Sequence, residues 1–228
     1  GYLSEIEVYK GVALNTSSYT LPTTAFSNFV PQTITDQAQN SITVVGTAVT
    51  VSDASAFGGT CLQAYQSTGY VSTPVIPLTE LYWTIECWFK PDALPASSYM
   101  GVFDYGSAAD GLGGLCVVIR YDGLPMCFVA YGLEINVSGV TVAAGERAHL
   151  FVQRSGGKIY IGCKGTVGTN RDVHSLFVGD KGFRIGYANV TYNETKAIKI
   201  DEWRVFEGEA KYPLSGTYVV PTTPFPDI

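Results

Sequence analysis

The residues best suited to chemistry in this chain are carboxylates set beside aromatic rings. Glu86 and Trp88 stand two positions apart, and Asp104, Tyr105, Asp110, Tyr121 and Asp122 follow at loops or loop edges. An aromatic ring can cover the apolar face of a pyranose while a few carboxylates and amides fix its hydroxyls, so this mixture is the chemistry of sugar recognition. The alternative is that Trp88 packs under a loop as a second core layer and the loop acids are simply solvated. Asp104 and Asp110 could lend oxygens to calcium, but that ion takes about six to eight. The supply is too small for a metal or any other cofactor to be expected.

Catalysis finds less support. Glycoside hydrolysis needs two carboxyl groups flanking one bond, roughly 5–10 Å apart. Asp201 and Glu202 are adjacent, and regular strand alternation would send them to opposite faces. His149 and His174 lack a Gly-x-Ser-x-Gly context. Gly111-Leu112-Gly113-Gly114 has the glycines of a phosphate loop without the Lys-Ser/Thr that would complete it. The chain is therefore expected not to be an enzyme. Its five cysteines (61, 87, 116, 127 and 163) lie in apolar runs without CxxC spacing, which reads as small buried hydrophobes rather than zinc ligands. An odd number cannot pair completely within one chain, no disulfide is expected, and folding in a reducing cytoplasm fits best.

The elements that must position these residues are strands. Charged residues are 15% of the 228, below the roughly 25% of a typical globular protein, while hydrophobic residues reach 46%. Runs rich in Val, Ile, Tyr, Phe and Thr alternate with Gly and Pro punctuation, and no segment keeps helical spacing for three turns. The predicted strands are 42–51 broken at Gly46, 57–65, 69–73, 82–90, 99–105, 114–120, 125–131, 147–154, 158–164, 172–178, 183–187 and 197–206. In the fourth of these, Trp83, Ile85, Cys87 and Phe89 share an apolar side, and Thr84, Glu86, Trp88 and Lys90 share the other. Ala148, Leu150 and Val152 likewise point inward, with Arg147, His149, Phe151 and Gln153 outward. These outward rows are mixed rather than polar, so a loop or a neighbour should cover part of them. The fold class expected is all-β, a two-sheet antiparallel jelly-roll sandwich with almost no helix.

The two ends echo each other. Ser4-Glu5-Ile6-Glu7-Val8-Tyr9-Lys10-Gly11, Tyr19 and Pro22-Thr23-Thr24-Ala25-Phe26 parallel Asp201-Glu202-Trp203-Arg204-Val205-Phe206-Glu207-Gly208, Tyr218 and Pro221-Thr222-Thr223-Pro224-Phe225. Residues 1–26 are thus expected to close a preceding similar module, in a tandem repeat, with the sandwich proper at 27–228. Several segments resemble the concanavalin A-like lectin/glucanase superfamily in its laminin G-like form. They are Tyr82-Trp83-Thr84-Ile85-Glu86-Cys87-Trp88-Phe89-Lys90-Pro91, His149 to Ile161 with Gly165, Phe183-Arg184-Ile185-Gly186, and Ile200-Asp201-Glu202-Trp203-Arg204-Val205. The ending Gly208-Glu209-Ala210-Lys211-Tyr212 with Pro221 to Pro226 is similar to that of such domains in phage tail and virion proteins.

That resemblance implies a non-catalytic structural or surface module of a phage virion, in the tail or as capsid decoration, and leaves carbohydrate binding open, with architecture favoured because no loop carries a dense cluster of aromatics and acids. A carbohydrate-binding adhesin for host glycans is the alternative, and a eukaryotic extracellular laminin G-like module would make use of four Asn-x-Ser/Thr sequons. Its partners would be other virion proteins, copies of itself, or host glycans, at the virion surface. The net charge of −6 and the scarcity of Lys/Arg clusters argue against nucleic acid. No apolar run is long enough to insert in a membrane as a helix.

Overall fold

Strand β5 (Tyr82–Pro91) works out as the alternation requires. Trp83, Ile85, Cys87 and Phe89 are buried in one core, each worth roughly 1.5–3 kcal/mol of removal from water if large and fully enclosed. The computed structural model describes residues 42–65, 68–106, 114–129, 133–173, 182–189 and 196–225. The chain divides into Gly1–Thr33 and Ile34–Ile228, and everything described belongs to the second unit. The segment 1–26, Asp110 and His174 lie outside the described residues.

Two antiparallel seven-stranded sheets form the sandwich. The first runs, in spatial order, β1 (Thr43–Gly46), β4 (Gly69–Ser72), β13 (Phe183–Ile185), β6 (Tyr99–Tyr105), β7 (Leu115–Arg120), β8 (Pro125–Val129) and β9 (Leu133–Asn136). The second runs β12 (Thr166–Asp172), β11 (Lys158–Cys163), β10 (Ala148–Ser155), β5, β14 (Ile198–Glu207), β3 (Thr60–Ala64) and β2 (Val49–Ser52). Ile85, Leu150 and Val205 from the second sheet and Phe103, Val117 and Phe183 from the first share a single interior. Among the described residues the sole helical piece is the 3-10 turn Phe57–Gly59, where Gly58 and Gly59 take positive φ. All five cysteines are buried free thiols.

Most predicted strands fall where the alternation put them. The strand expected at 172–178 lies outside the described residues beyond Val173, and β12 and β9 were not foreseen, β12 because most of its side chains are exposed and β9 because four residues are too few to show a period.

Two β-bulges decide which side chains reach which face. In β6, Gly101 sits opposite Val118 and Phe103 opposite Val117, leaving Val102 as the extra residue. The parity flips there, so Asp104 points outward and Tyr105 enters the core. In β14, Asp201 sits opposite Trp88 and Arg204 opposite Glu86, with Glu202 at φ 53° and Trp203 turned inward against Phe183. Asp201 and Glu202 therefore both act on the outer side of the second sheet, which corrects the expectation that they face opposite ways.

Candidate ligand-binding surfaces

The outer face of the second sheet is closed by the chain's own C-terminal segment, residues 208–225. It crosses β5 and β10 and bridges to the start of β12, where Thr166 pairs with Thr217, and is fastened by successive contacts. Gln153 exchanges two hydrogen bonds with the backbone of Tyr212, at 2.8 and 2.9 Å. The Phe151 ring stacks on Tyr212 at 4.3 Å and meets Tyr218 edge-on at 5.0 Å. Gly162 lies directly under Phe151, where a Cβ would collide with the ring.

Beneath this strap lies Glu86, expected at a ligand surface and found 0% exposed. Its Oε1 accepts from Arg204 Nε at 2.8 Å and Nη2 at 2.7 Å, and its Oε2 accepts from His149 Nε2 at 3.0 Å and from the Tyr212 hydroxyl. Lys211 adds a longer contact at 3.5 Å. Burial alone would raise the carboxyl pKa, but these donors and the Arg204 charge outweigh it and bring Glu86 down to about 2. Burial also lowers the His149 pKa, more than Glu86 raises it, so the ring is neutral. Nε2–H then donates to Glu86, and Nδ1 accepts from the Tyr218 hydroxyl at 3.0 Å. Glu86 is thus a fastener under the strap, with no oxygen left for a ligand. The corresponding correction applies to Tyr105. It is 0% exposed, its hydroxyl accepts the Leu78 N–H at 3.3 Å, and its ring lies 4.7 Å from Phe183.

Trp88 is half-buried and already has a partner on its ring. The Arg147 guanidinium lies 4.3 Å from the centre of Trp88 and 4.2 Å from that of Phe57, and donates to Asp201 Oδ2 at 2.6 Å. Asp201 also accepts the Phe57 N–H, and Glu202 accepts the Phe225 N–H at 2.6 Å. Burial raises both carboxyl pKa values against these donors. The cleft beside this stack has only about 10 Å³ of space for a water-sized sphere, room for roughly one water and none for a sugar ring. Its charges satisfy one another, with Lys90 and Lys199 each 3.0 Å from Asp53.

The outer face of the first sheet is different. Asp104, 1% exposed, receives Arg184 side-on, Nε to Oδ1 at 2.7 Å and Nη2 to Oδ2 at 2.5 Å, and also the Asn189 N–H at 3.0 Å. Arg184 lies 4.2 Å from the centre of the Tyr187 ring, and Tyr187 meets Tyr70 at 4.9 Å, tilted by 47°. Both tyrosines are half-buried. The register explains the meeting, since Arg184 stands between Asp104 on β6 and Ser72 on β4. The segment carrying Tyr187 is seated close to β6 because residue 101 is glycine; a Cβ there would strike the backbone of Tyr187 and Ala188.

Tyr121 and Asp122 occupy the β7–β8 hairpin, at the opposite end of β6 and β7 from Asp104. Tyr121 is 50% exposed. Asp122 receives Arg120 Nε at 2.9 Å and Nη2 at 2.5 Å, which lowers its carboxyl pKa to about 2. The six expected ligand residues are therefore divided among the strapped face, the core, the outer face of the first sheet and a hairpin tip. Sequence reading missed Tyr70, Arg184 and Tyr187. The signal available was the outward position of Arg184 in Phe183-Arg184-Ile185-Gly186. Among the described residues, no group of three His, Cys, Asp or Glu side chains is arranged to hold a metal.

The geometry defines a β-sandwich with one covered and one partly open sheet face, and known structures share that fold. A structure of botulinum neurotoxin type C, whose cell entry depends on interaction with two ganglioside molecules, matches at TM-score 0.58 and 11% identity over 76% of this chain and 44% of that one. The binding domain of botulinum neurotoxin DC in complex with SialylT matches at 0.57 and 12%, with the same coverage. Domain 4 of AbnA, an extracellular GH43 arabinanase from Geobacillus stearothermophilus, in complex with arabinotriose, matches at 0.57 and 16% over 75% of this chain and 82% of that one. The chain spans less than half of the botulinum structures it matches. No protein-family model and no curated protein matches it.

Proposed function

We propose that this chain is a non-catalytic carbohydrate-binding module of the concanavalin A-like, laminin G-like kind, displayed on a larger assembly. The observation that carries the reading is the Tyr70–Tyr187 pair on the first sheet, backed by the Asp104–Arg184 fork. Tyr187 packs against Arg184 and Tyr70, and what the half-buried pair offers a sugar is ring edges and hydroxyls beside fixed polar groups. Glycan-binding neighbours of the same fold support it. Tyr121 and Asp122 form a second, more exposed contact of similar composition. The ending from Gly208 to Pro226 supports a virion surface as the setting, with host glycans as the ligand, and the echo between the chain's ends supports a tandem arrangement.

A glycan array probed with the purified chain tests the reading. Saturable binding that Tyr187→Ala abolishes with unchanged circular dichroism is the expected result. Trp88→Ala, on the strapped face, should leave binding intact while lowering stability. Absence of any glycan binding would leave an architectural module, whose outer faces serve only as interfaces.

A further inference from the structure

We infer that the sugar taken by the outer face of the first sheet is uncharged, a neutral hexose or pentose chain rather than a sialylated or uronic-acid glycan. The inference rests on the carbohydrate-binding reading above and adds the class of ligand.

A guanidinium recognises a carboxylate through two parallel N–H bonds from one of its edges. In Arg184 the Nε–Nη2 edge is spent on Asp104, and Nη2 also lies 3.4 Å from the Gly106 carbonyl. Asp104 is anchored in turn by the Asn189 N–H and buried from water, so the fork is a fixed part of the wall. The pair carries no net charge. The second arginine on this face, Arg120, is spent in the same way on Asp122. Among the described residues, neither of these two arginines keeps its Nε–Nη2 edge for an anion.

What remains suits hydroxyl groups. Arg184 Nη1 and the hydroxyls of Tyr70 and Tyr187 make no hydrogen bonds among the described residues, and they belong to side chains packed on one another, the two tyrosine rings with centroids 4.9 Å apart. A sugar carboxylate brought here would meet only the Nη1 end of an arginine whose charge Asp104 already balances, without the two-pronged Nε–Nη2 edge, and it would approach a chain of net charge −6. Sugar hydroxyls, which both donate and accept, meet no such penalty.

The test is an array carrying neutral arabino-, manno- and gluco-oligosaccharides beside sialylated and uronate-containing ones at equal density. Neutral chains should bind at least about tenfold more tightly than acidic ones of the same length. Asp104→Asn, checked for fold by circular dichroism, releases the Arg184 edge and should shift the preference toward acidic glycans. Preference of the unaltered chain for acidic glycans would overturn this inference and leave the carbohydrate-binding reading standing. Absence of binding to either class would overturn both.

Discussion

Glu86 shows what a single position can and cannot disclose. Its side of β5 follows from its place between Ile85 and Cys87, and the structure agrees. Its burial does not follow, because the groups that cover it lie more than a hundred residues away at Arg204 and Tyr212. Glu86→Gln would leave Arg204 and Lys211 without their anion, and breaking such a buried pair costs about 3–5 kcal/mol. Urea unfolding should show that loss in the midpoint. His149 supplies a pH dependence of definite sign. Its folded pKa lies below the ordinary 6.5, so as pH falls through 6.5 the unfolded chain takes up a proton that the folded chain refuses. Thermal stability should therefore decline as pH is lowered from 7 toward 5.5, and His149→Gln should flatten that slope. Glu86, held at about 2, adds a loss below about pH 4.5. Asp201 and Glu202 oppose it in that lower range, because their folded pKa values are raised.

Among the elements, long strands with one apolar side were legible: β5, β10 and β14 stand within a residue or two of their predicted bounds. Short and polar ones were not. β9 has four residues, and β12 exposes most of its side chains, so neither gives a hydrophobic period. The bulges were equally invisible, since an extra residue such as Val102 looks like any other strand residue. Their effect on side-chain placement is large: the β6 bulge sends Asp104 to the outer face of the first sheet and Tyr105 into the core. Gly101 beside that bulge provides a test. Gly101→Ala should push the Tyr187–Ala188 backbone outward, weakening glycan binding strongly while costing about 1–3 kcal/mol of stability. Titration calorimetry and thermal unfolding on the same variant would separate the two effects.

At the scale of the whole molecule, the outer faces of the two sheets differ. One is sealed by residues 208–225, and on the other Cys116, Val118 and Met126 are buried while Tyr70 and Tyr187 stay partly exposed. Truncation after Glu207 should uncover Phe151 and Val167 and strand Glu86 and His149, so the shortened chain is expected to bind the dye ANS and to melt at lower temperature. The sequence by itself determined the β class, most strand positions and the inward rows, because side chains alternate with a period of two and apolar sides must be buried. It also disclosed that the outward rows of β5 and β10 were too mixed to stand in water. Only the tertiary structure decided what covers them, which tyrosines meet on the outer face of the first sheet, and that Arg184 and Arg120 are neutralised. Those outcomes depend on register, bulges and contacts between distant segments, which local periodicity does not encode.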